Sequence, residues 1–180
     1  MTSSARRPVT MAHPARWLAV IRIVIGLYFG KAMVTKMTIS MAGGFLPFPA
    51  VQDRWISVMP MIVANQAAGN PIRFYKDFLE GTVLAHSSLF AHLTAWGEVV
   101  VGVGLTLGLL SGVASLTGLV LVINYGLATQ WMSPGQQGFH LVLVALMATF
   151  FLARAGRTWG LDARLATRNP ESILARRPFS

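Results

Sequence analysis

The chain has 180 residues, of which 54% are hydrophobic and only 12% charged, against about 25% charged in an ordinary soluble domain. Its formal net charge of +9 would suit nucleic acid, but the basic residues flank apolar runs and carry no nucleic-acid motif, which excludes that partner. With no cysteine, the chain cannot by itself run thiol–disulfide exchange, hold an iron–sulfur cluster through thiolates or form a disulfide; any electron it handles sits on a bound cofactor, a quinone or a partner.

A basic N-terminal tail, residues 1–16 with Arg6, Arg7 and Arg16, leads into an apolar run from about Trp17 to Met37. A cleaved signal peptide is the competing reading of this run, because its flank is basic and Ser40-Met41-Ala42 offers small residues. Arg22, Lys31 and Lys36 interrupt the run and cleavage after Ala42 would come late, which favours a retained span. Residues 38–89 then form a long outer connection. Gly43-Gly44 and the Pro47/Pro49 pair read as loop, and Asn70-Pro71 offers a helix start with Asn at N-cap and Pro at N1. From there Ile72, Tyr75, Phe78, Leu79 and Val83 recur at helical spacing opposite Arg73, Lys76, Asp77 and Glu80. That pattern predicts an amphipathic helix of about four turns, lying at the membrane surface or packed on the outer ends of the spans.

Three more apolar runs follow, Phe90–Leu110, Gly112–Trp131 and Phe139–Ala155. Each has roughly the 17–25 residues that a helix needs to cross about 30 Å of hydrocarbon, and a segment in lipid must satisfy its own backbone. The expected fold is therefore all-α: an integral membrane bundle of four transmembrane helices over residues 17–155, with the amphipathic helix in its first outer loop. Gly26-x-x-x-Gly30 and Gly104-x-x-x-Gly108, with Gly102 and Gly118, read as close helix contacts. Residues 156–180 form a basic C-terminal tail with Arg157, Arg164, Arg168, Arg176 and Arg177. The outer connections carry far fewer cations, so counting positive charge places both termini in the cytoplasm and the chain in the inner (plasma) membrane.

An ionisable side chain in the bilayer core costs roughly 2.5–3.5 kcal/mol, so Arg22, Lys31 and Glu98 need partners or work to do. At 1.5 Å per residue, Glu98 lies about 12 Å below the outer end of the second span, within easier reach of Lys31 or Lys36 than of Arg22. It is neutralised by a lysine that holds two helices together, or is a proton-accepting group beside a redox or substrate site, or faces a water-filled pocket with no chemistry. Asn124 and Tyr125, with Gln130, bring hydrogen-bonding groups to the bundle interior as glue or as contacts for a ligand. His86 and His92 are six apart, on different faces of any continuous helix, whereas His92 and His140 lie at matched depth and either share a metal, a haem or a quinone headgroup or are interfacial histidines in contact with water. No HExxH, phosphate-binding glycine loop or nucleophile with its base is present, and no resident metal is expected.

Several stretches together resemble a known family. They are Arg22, Gly26, Phe29 and Lys36 in the first run, then Phe74-Tyr75-Lys76-Asp77-Phe78-Leu79-Glu80, Val83-Leu84-Ala85-His86, Leu89-Phe90-Ala91 and Gly97-Glu98. Asn124-Tyr125 and Ala155-Gly156-Arg157-Thr158-Trp159-Gly160-Leu161-Asp162 complete the pattern, which covers about Ala15 to Leu165. The chain resembles the DoxX family of bacterial membrane proteins, and within it the DoxD type, the small subunit of thiosulfate:quinone oxidoreductase. Ala85 stands where relatives often carry proline.

The resemblance implies a membrane subunit that passes electrons from thiosulfate or a thiol to membrane quinone, beside a second redox subunit or a soluble oxidoreductase. It makes Glu98, Arg22, Lys36 and His86 the catalytic candidates, with Lys31, His92, Asn124, Tyr125 and His140 the further candidates for holding the quinone. Asp162 is either part of this pattern or an anchor of the cytoplasmic end. The alternative is a non-catalytic membrane anchor or scaffold for a redox complex. Self-association stays open.

Overall fold

The computed structural model describes residues 13–180; Arg6 and Arg7 of the expected basic tail lie outside the described residues. Pro14 opens the first helix at a position where its missing N–H has no intrahelical partner to lose. Helix α1 (Pro14–Gly30) continues after Lys31 into a short α2 (Ala32–Thr35), and the two together form the first span.

The hairpin comes next, strands β1 (Met37–Ala42) and β2 (Leu46–Val51) pairing antiparallel with Met37 opposite Val51. Gly43 and Gly44 both take positive φ in its turn, a conformation open to glycine at little strain. Helices α3 (Asp53–Ala68) and α4 (Arg73–Phe78) follow, and α4 runs on through a π-helical turn over Leu79–Val83. The remaining spans are α5 (Ser87–Leu107), α6 (Ser111–Thr129) and α7 (Pro134–Leu152). All four spans are long and apolar enough to cross a bilayer, so the protein is a multi-pass membrane protein built as an all-α bundle.

Span boundaries shift from expectation for local reasons. The first span ends at Thr35 because Met37 already begins a strand. The fourth begins at Pro134 because Ser133 caps it, its hydroxyl accepting from the Gln136 N–H at 3.2 Å. The second closes at Gly108, whose φ of +61° forms a left-handed cap.

An even number of crossings puts Pro14 and the segment after α7 on one side, called here the terminal side, and the hairpin with α3 and α4 on the other. Glycines let the spans meet at backbone distance. A Cβ on Gly102 would come within 2.7 Å of the Gly30 backbone, and one on Gly118 would meet the Met147 side chain. Phe29, Val101, Leu105, Val122, Met147 and Phe150 fill the core between them.

On the hairpin side the structure departs from the expected loop. Helix α3 was not anticipated, although Met59, Val63 and Ala67 recur every four residues and are buried; Pro60 within it masks the pattern. The helix expected to start at Asn70-Pro71 starts instead at Arg73, after Ile72 as N-cap. The Asn70 amide accepts from the Ile72 N–H at 2.9 Å and donates to the Leu127 carbonyl at 3.0 Å, so it ties α4 to α6 rather than capping it. The apolar face is the anticipated one: Tyr75, Leu79 and Val83 pack on Met59, Val63, Ala67, Ala91 and Ala128, over the outer ends of α5 and α6.

After α7 the chain turns through a 3-10 segment (Ala155–Arg157) into α8 (Leu161–Arg168), and the last residues fold back on the start of α6. The Gly112 N–H donates to the Phe179 carbonyl at 3.1 Å, and Arg154 Nε donates to the Ser180 carbonyl at 2.9 Å.

Candidate functional site

Lys36 leaves the end of α2 with its side chain turned back into the bundle, where Nζ lies 2.6 Å from Glu98 Oε2. Tyr125, on α6, donates its hydroxyl to Glu98 Oε1 at 2.8 Å. Both carboxylate oxygens are thus held, by groups from two other helices, and Lys36 Nζ also sits 4.1 Å above the Trp55 ring of α3. The Lys36 and Glu98 side chains keep 16% and 13% of their surface accessible, on to a cavity of about 910 Å³. Its walls are mainly apolar, from Met59, Val63, Leu79, Val83 and Leu121, with Tyr28 and Phe139 closing it toward α1 and α7. Gln66, Thr94, Thr117, Asn124, Thr129 and His140 place polar groups along the same walls. An apolar cavity of this size with a few convergent polar groups is the common form of a small-molecule site.

The π-helical turn helps to shape it. The Leu84 N–H bonds back to the Leu79 carbonyl at 2.9 Å, one residue further than an α-helix allows, and Leu79 and Val83 both face the cavity. Tyr75 also lines it, donating its hydroxyl to the Asn124 carbonyl at 2.9 Å, and burial pushes its phenol up to about 12.

A second buried charged group lies at the opposite end. Asp162, fully buried at the start of α8, accepts from the Leu110 N–H at 2.8 Å, the Ser111 N–H at 2.9 Å and the Ser111 hydroxyl at 2.6 Å. It caps α6 from a distance of 51 residues in sequence, where the helix dipole favours an anion. Arg22, also fully buried, donates Nη2 to the Trp159 carbonyl at 3.4 Å and lies beside Gly108 and Gly160, where a side chain would collide with it. Among the described residues, the non-glycine positions with positive φ, Leu110, Arg154 and Trp159, all lie at this end.

A family model matches residues 17–174, nearly the whole chain, and is described as TQO small subunit DoxD. The chain belongs to the DoxD family. No curated protein and no solved structure matches it.

Set against the sequence candidates, this DoxD protein joins some and separates others. Lys36, Glu98, Tyr125, Asn124 and His140 line one cavity. Lys31 does not reach Glu98; it is exposed at the α1–α2 joint with Nζ 4.3 Å over the Tyr28 ring. Arg22 lies at the other end of the bundle, packed against the cap of α5 and the segment after α7. His86 and His92 are exposed and outside the cavity, each with Nδ1 on the carbonyl four residues earlier, Thr82 at 3.1 Å and Ser88 at 2.8 Å. His92 and His140 therefore do not converge on a shared ligand. Among the described residues no three His, Asp or Glu side chains gather at metal-binding distance.

His140 is different from the other two histidines. It is buried, its Nδ1 lies 2.8 Å from the Gln136 carbonyl, and its ring packs over Gly126, next to Tyr125. A carbonyl only accepts, so Nδ1 carries a proton in this contact. Trp55, Gln66 and Thr94 of the DoxD site were not anticipated. Trp55 belongs to the helix hidden by Pro60, while Thr94 sits one helical turn before Glu98, a spacing that could have revealed it.

Proposed function

We propose that the cavity beside Glu98 is a quinone site, and that this chain is the membrane subunit of a thiosulfate:quinone oxidoreductase with a second subunit that handles the sulfur donor. The observation that carries this reading is the Lys36–Glu98–Tyr125 chain opening on an apolar cavity within the bundle. A quinone ring needs apolar walls, hydrogen bonds to its two oxygens and protons as it takes up electrons, and it supplies the electron acceptance that a chain without cysteine lacks. Tyr125 presents a hydroxyl proton near the cavity, and Lys36 holds positive charge where negative charge would develop on a ring oxygen. Glu98, bonded to both, relays protons between them. Met59, Val63 and Leu121 exclude water from the ring's faces. In this reading Arg22, Lys31, His86 and His92 stand outside the chemistry, and the terminal side, richer in arginine, faces the cytoplasm.

The test is thiosulfate-dependent quinone reduction in native membranes. Glu98→Gln keeps the shape and the Tyr125 hydrogen bond but removes the exchangeable charge, so turnover falls by about 100-fold or more with the protein level unchanged. Parental turnover in that variant would remove Glu98 from the mechanism. A second reading, a membrane anchor for a redox partner, is favoured by the hairpin, where Ile39, Met41, Phe45 and Phe48 are exposed and no residue from 37 to 52 is charged. An anchor predicts that Phe45→Ser and Phe48→Ser together release the partner from the membrane while Glu98→Gln leaves function intact.

A further inference from the structure

Most of the polar groups that share the cavity with Glu98 lie toward the hairpin side. Toward the hairpin side, Gln66 on α3, Thr129 near the end of α6, and Ser133 and Gln136 at the α6–α7 connection all line the same cavity as Glu98. These residues form a polar rim leading from the outer connections down to Tyr125. Toward the terminal side the cavity reaches down the α6 wall as far as Thr117, and the core beside and below it closes. Val101, Leu105, Val122, Met147 and Phe150 have no or almost no accessible surface, and Gly102 meets the Gly30 backbone. Between the layer of Glu98 and the layer of Arg22 and Asp162, the titratable residues of the spans are Tyr28, on the cavity wall, and Lys31, exposed with its Nζ over the Tyr28 ring; the buried core there has none. The hydroxyl of Ser115 in that interval is fully buried and spent on the Ser111 carbonyl at 2.6 Å. A layer this tightly packed has no room for a water chain.

We propose that the Glu98–Lys36–Tyr125 group exchanges protons with water on the hairpin side alone, so that quinone reduction in the cavity takes its protons from that side. The groups facing Glu98 from neighbouring elements are Lys36 and Tyr125, with Tyr28, Tyr75 and His140 elsewhere on the cavity wall. The proton count rests on the quinone reading. Two thiosulfate anions couple through a new sulfur–sulfur bond and release two electrons, and thiosulfate brings no proton. Forming the two O–H bonds of the quinol therefore consumes two protons from water. Glu98 passes each inward and is reprotonated through the polar rim.

Two measurements separate the access claim from the quinone reading. The chain has no cysteine, so single cysteines need no altered background. In sealed vesicles holding this chain with its native partner, Gln66→Cys and Thr94→Cys are expected to react with a charged, membrane-impermeant maleimide from the hairpin side and not from the terminal side, and Ser115→Cys with neither. Labelling of Thr94→Cys from the terminal side, or of Ser115→Cys by the aqueous reagent, overturns the proposal whatever the cavity binds. In the same vesicles, with a pH dye in each compartment, thiosulfate-driven quinone reduction is expected to remove protons only from the hairpin-side compartment. Uptake from the terminal side overturns one-sided exchange but leaves the quinone site standing. Absence of any reduction that depends on this chain sinks the quinone reading, while the labelling result still decides the access.

Discussion

Two carboxylates inside the same bundle, the half-buried Glu98 and the fully buried Asp162, sit at opposite ends and are held in opposite ways. Asp162 has no accessible surface, takes three hydrogen bonds from the start of α6, and has the fully buried Arg22 for company. Glu98 takes two bonds from side-chain groups, a lysine ammonium and a tyrosine hydroxyl, and keeps part of its surface on a cavity. A carboxylate fixed by two backbone N–H groups and a hydroxyl is committed to holding the start of α6. A carboxylate bonded to groups that themselves exchange protons, and open to a cavity, is suited to transfer. The difference teaches that charge inside a membrane bundle is no sign of chemistry until its partners are known.

The sharpest way to break this comparison is at Asp162. Asp162→Ala leaves the α6 N-terminus uncapped and Arg22 without its nearby anion, which is expected to cost about 3–5 kcal/mol and show as loss of folded protein in detergent melts. Asp162→Asn keeps some of the hydrogen bonding and falls between that and the parent. An unchanged melt for Asp162→Ala would mean that the terminal-side group is not structural. Next in size is the layer between the two groups. Gly102→Val drives a side chain into the Gly30 backbone and is expected to destabilise by about 1–3 kcal/mol, read from the same melts.

At the cavity the expected stability effects shrink while those on turnover grow. Lys36→Met removes the ammonium from the partly accessible pair and costs about 1 kcal/mol of stability, yet quinone reduction drops with it. Parental turnover there would leave Lys36 as a strut. A stability effect of similar size belongs to Tyr75→Phe, about 0.5–1.5 kcal/mol at neutral pH from the lost bond to the Asn124 carbonyl. Its pH signature is specific. The folded-state phenol is raised from 10.0 to about 12, so its contribution is fully present below pH 10 and is lost as the pH rises toward 12. Alkaline melts of the parent and of Tyr75→Phe are expected to converge across that window.

The spans were legible because lipid imposes a length and a polarity that few other contexts demand. The pairing of Glu98 with Lys36 was legible too, as one of two lysines at suitable depth. Tyr125 was visible as an interior polar group, but its bond to Glu98 depends on the rotation of α6 against α5, which period and composition leave undetermined. Asp162 as a cap for α6 was out of reach, since the two segments are separated by the whole of α6 and α7. The hairpin and α3 were lost inside a stretch whose glycines and prolines read as loop. Matched depth misled at His92 and His140, because depth says nothing of which way around a helix a ring points.

The glycine-packed layer below Glu98 also decides where the transmembrane voltage falls. If water reaches Glu98 from the hairpin side, most of the potential drops across the packed stretch between the cavity floor and Arg22. One elementary charge carried through the full field would exchange about 2.3 kcal/mol per 100 mV. Protons delivered from the hairpin side never enter that stretch, so their transfer is electrically silent and an imposed voltage neither drives nor slows it.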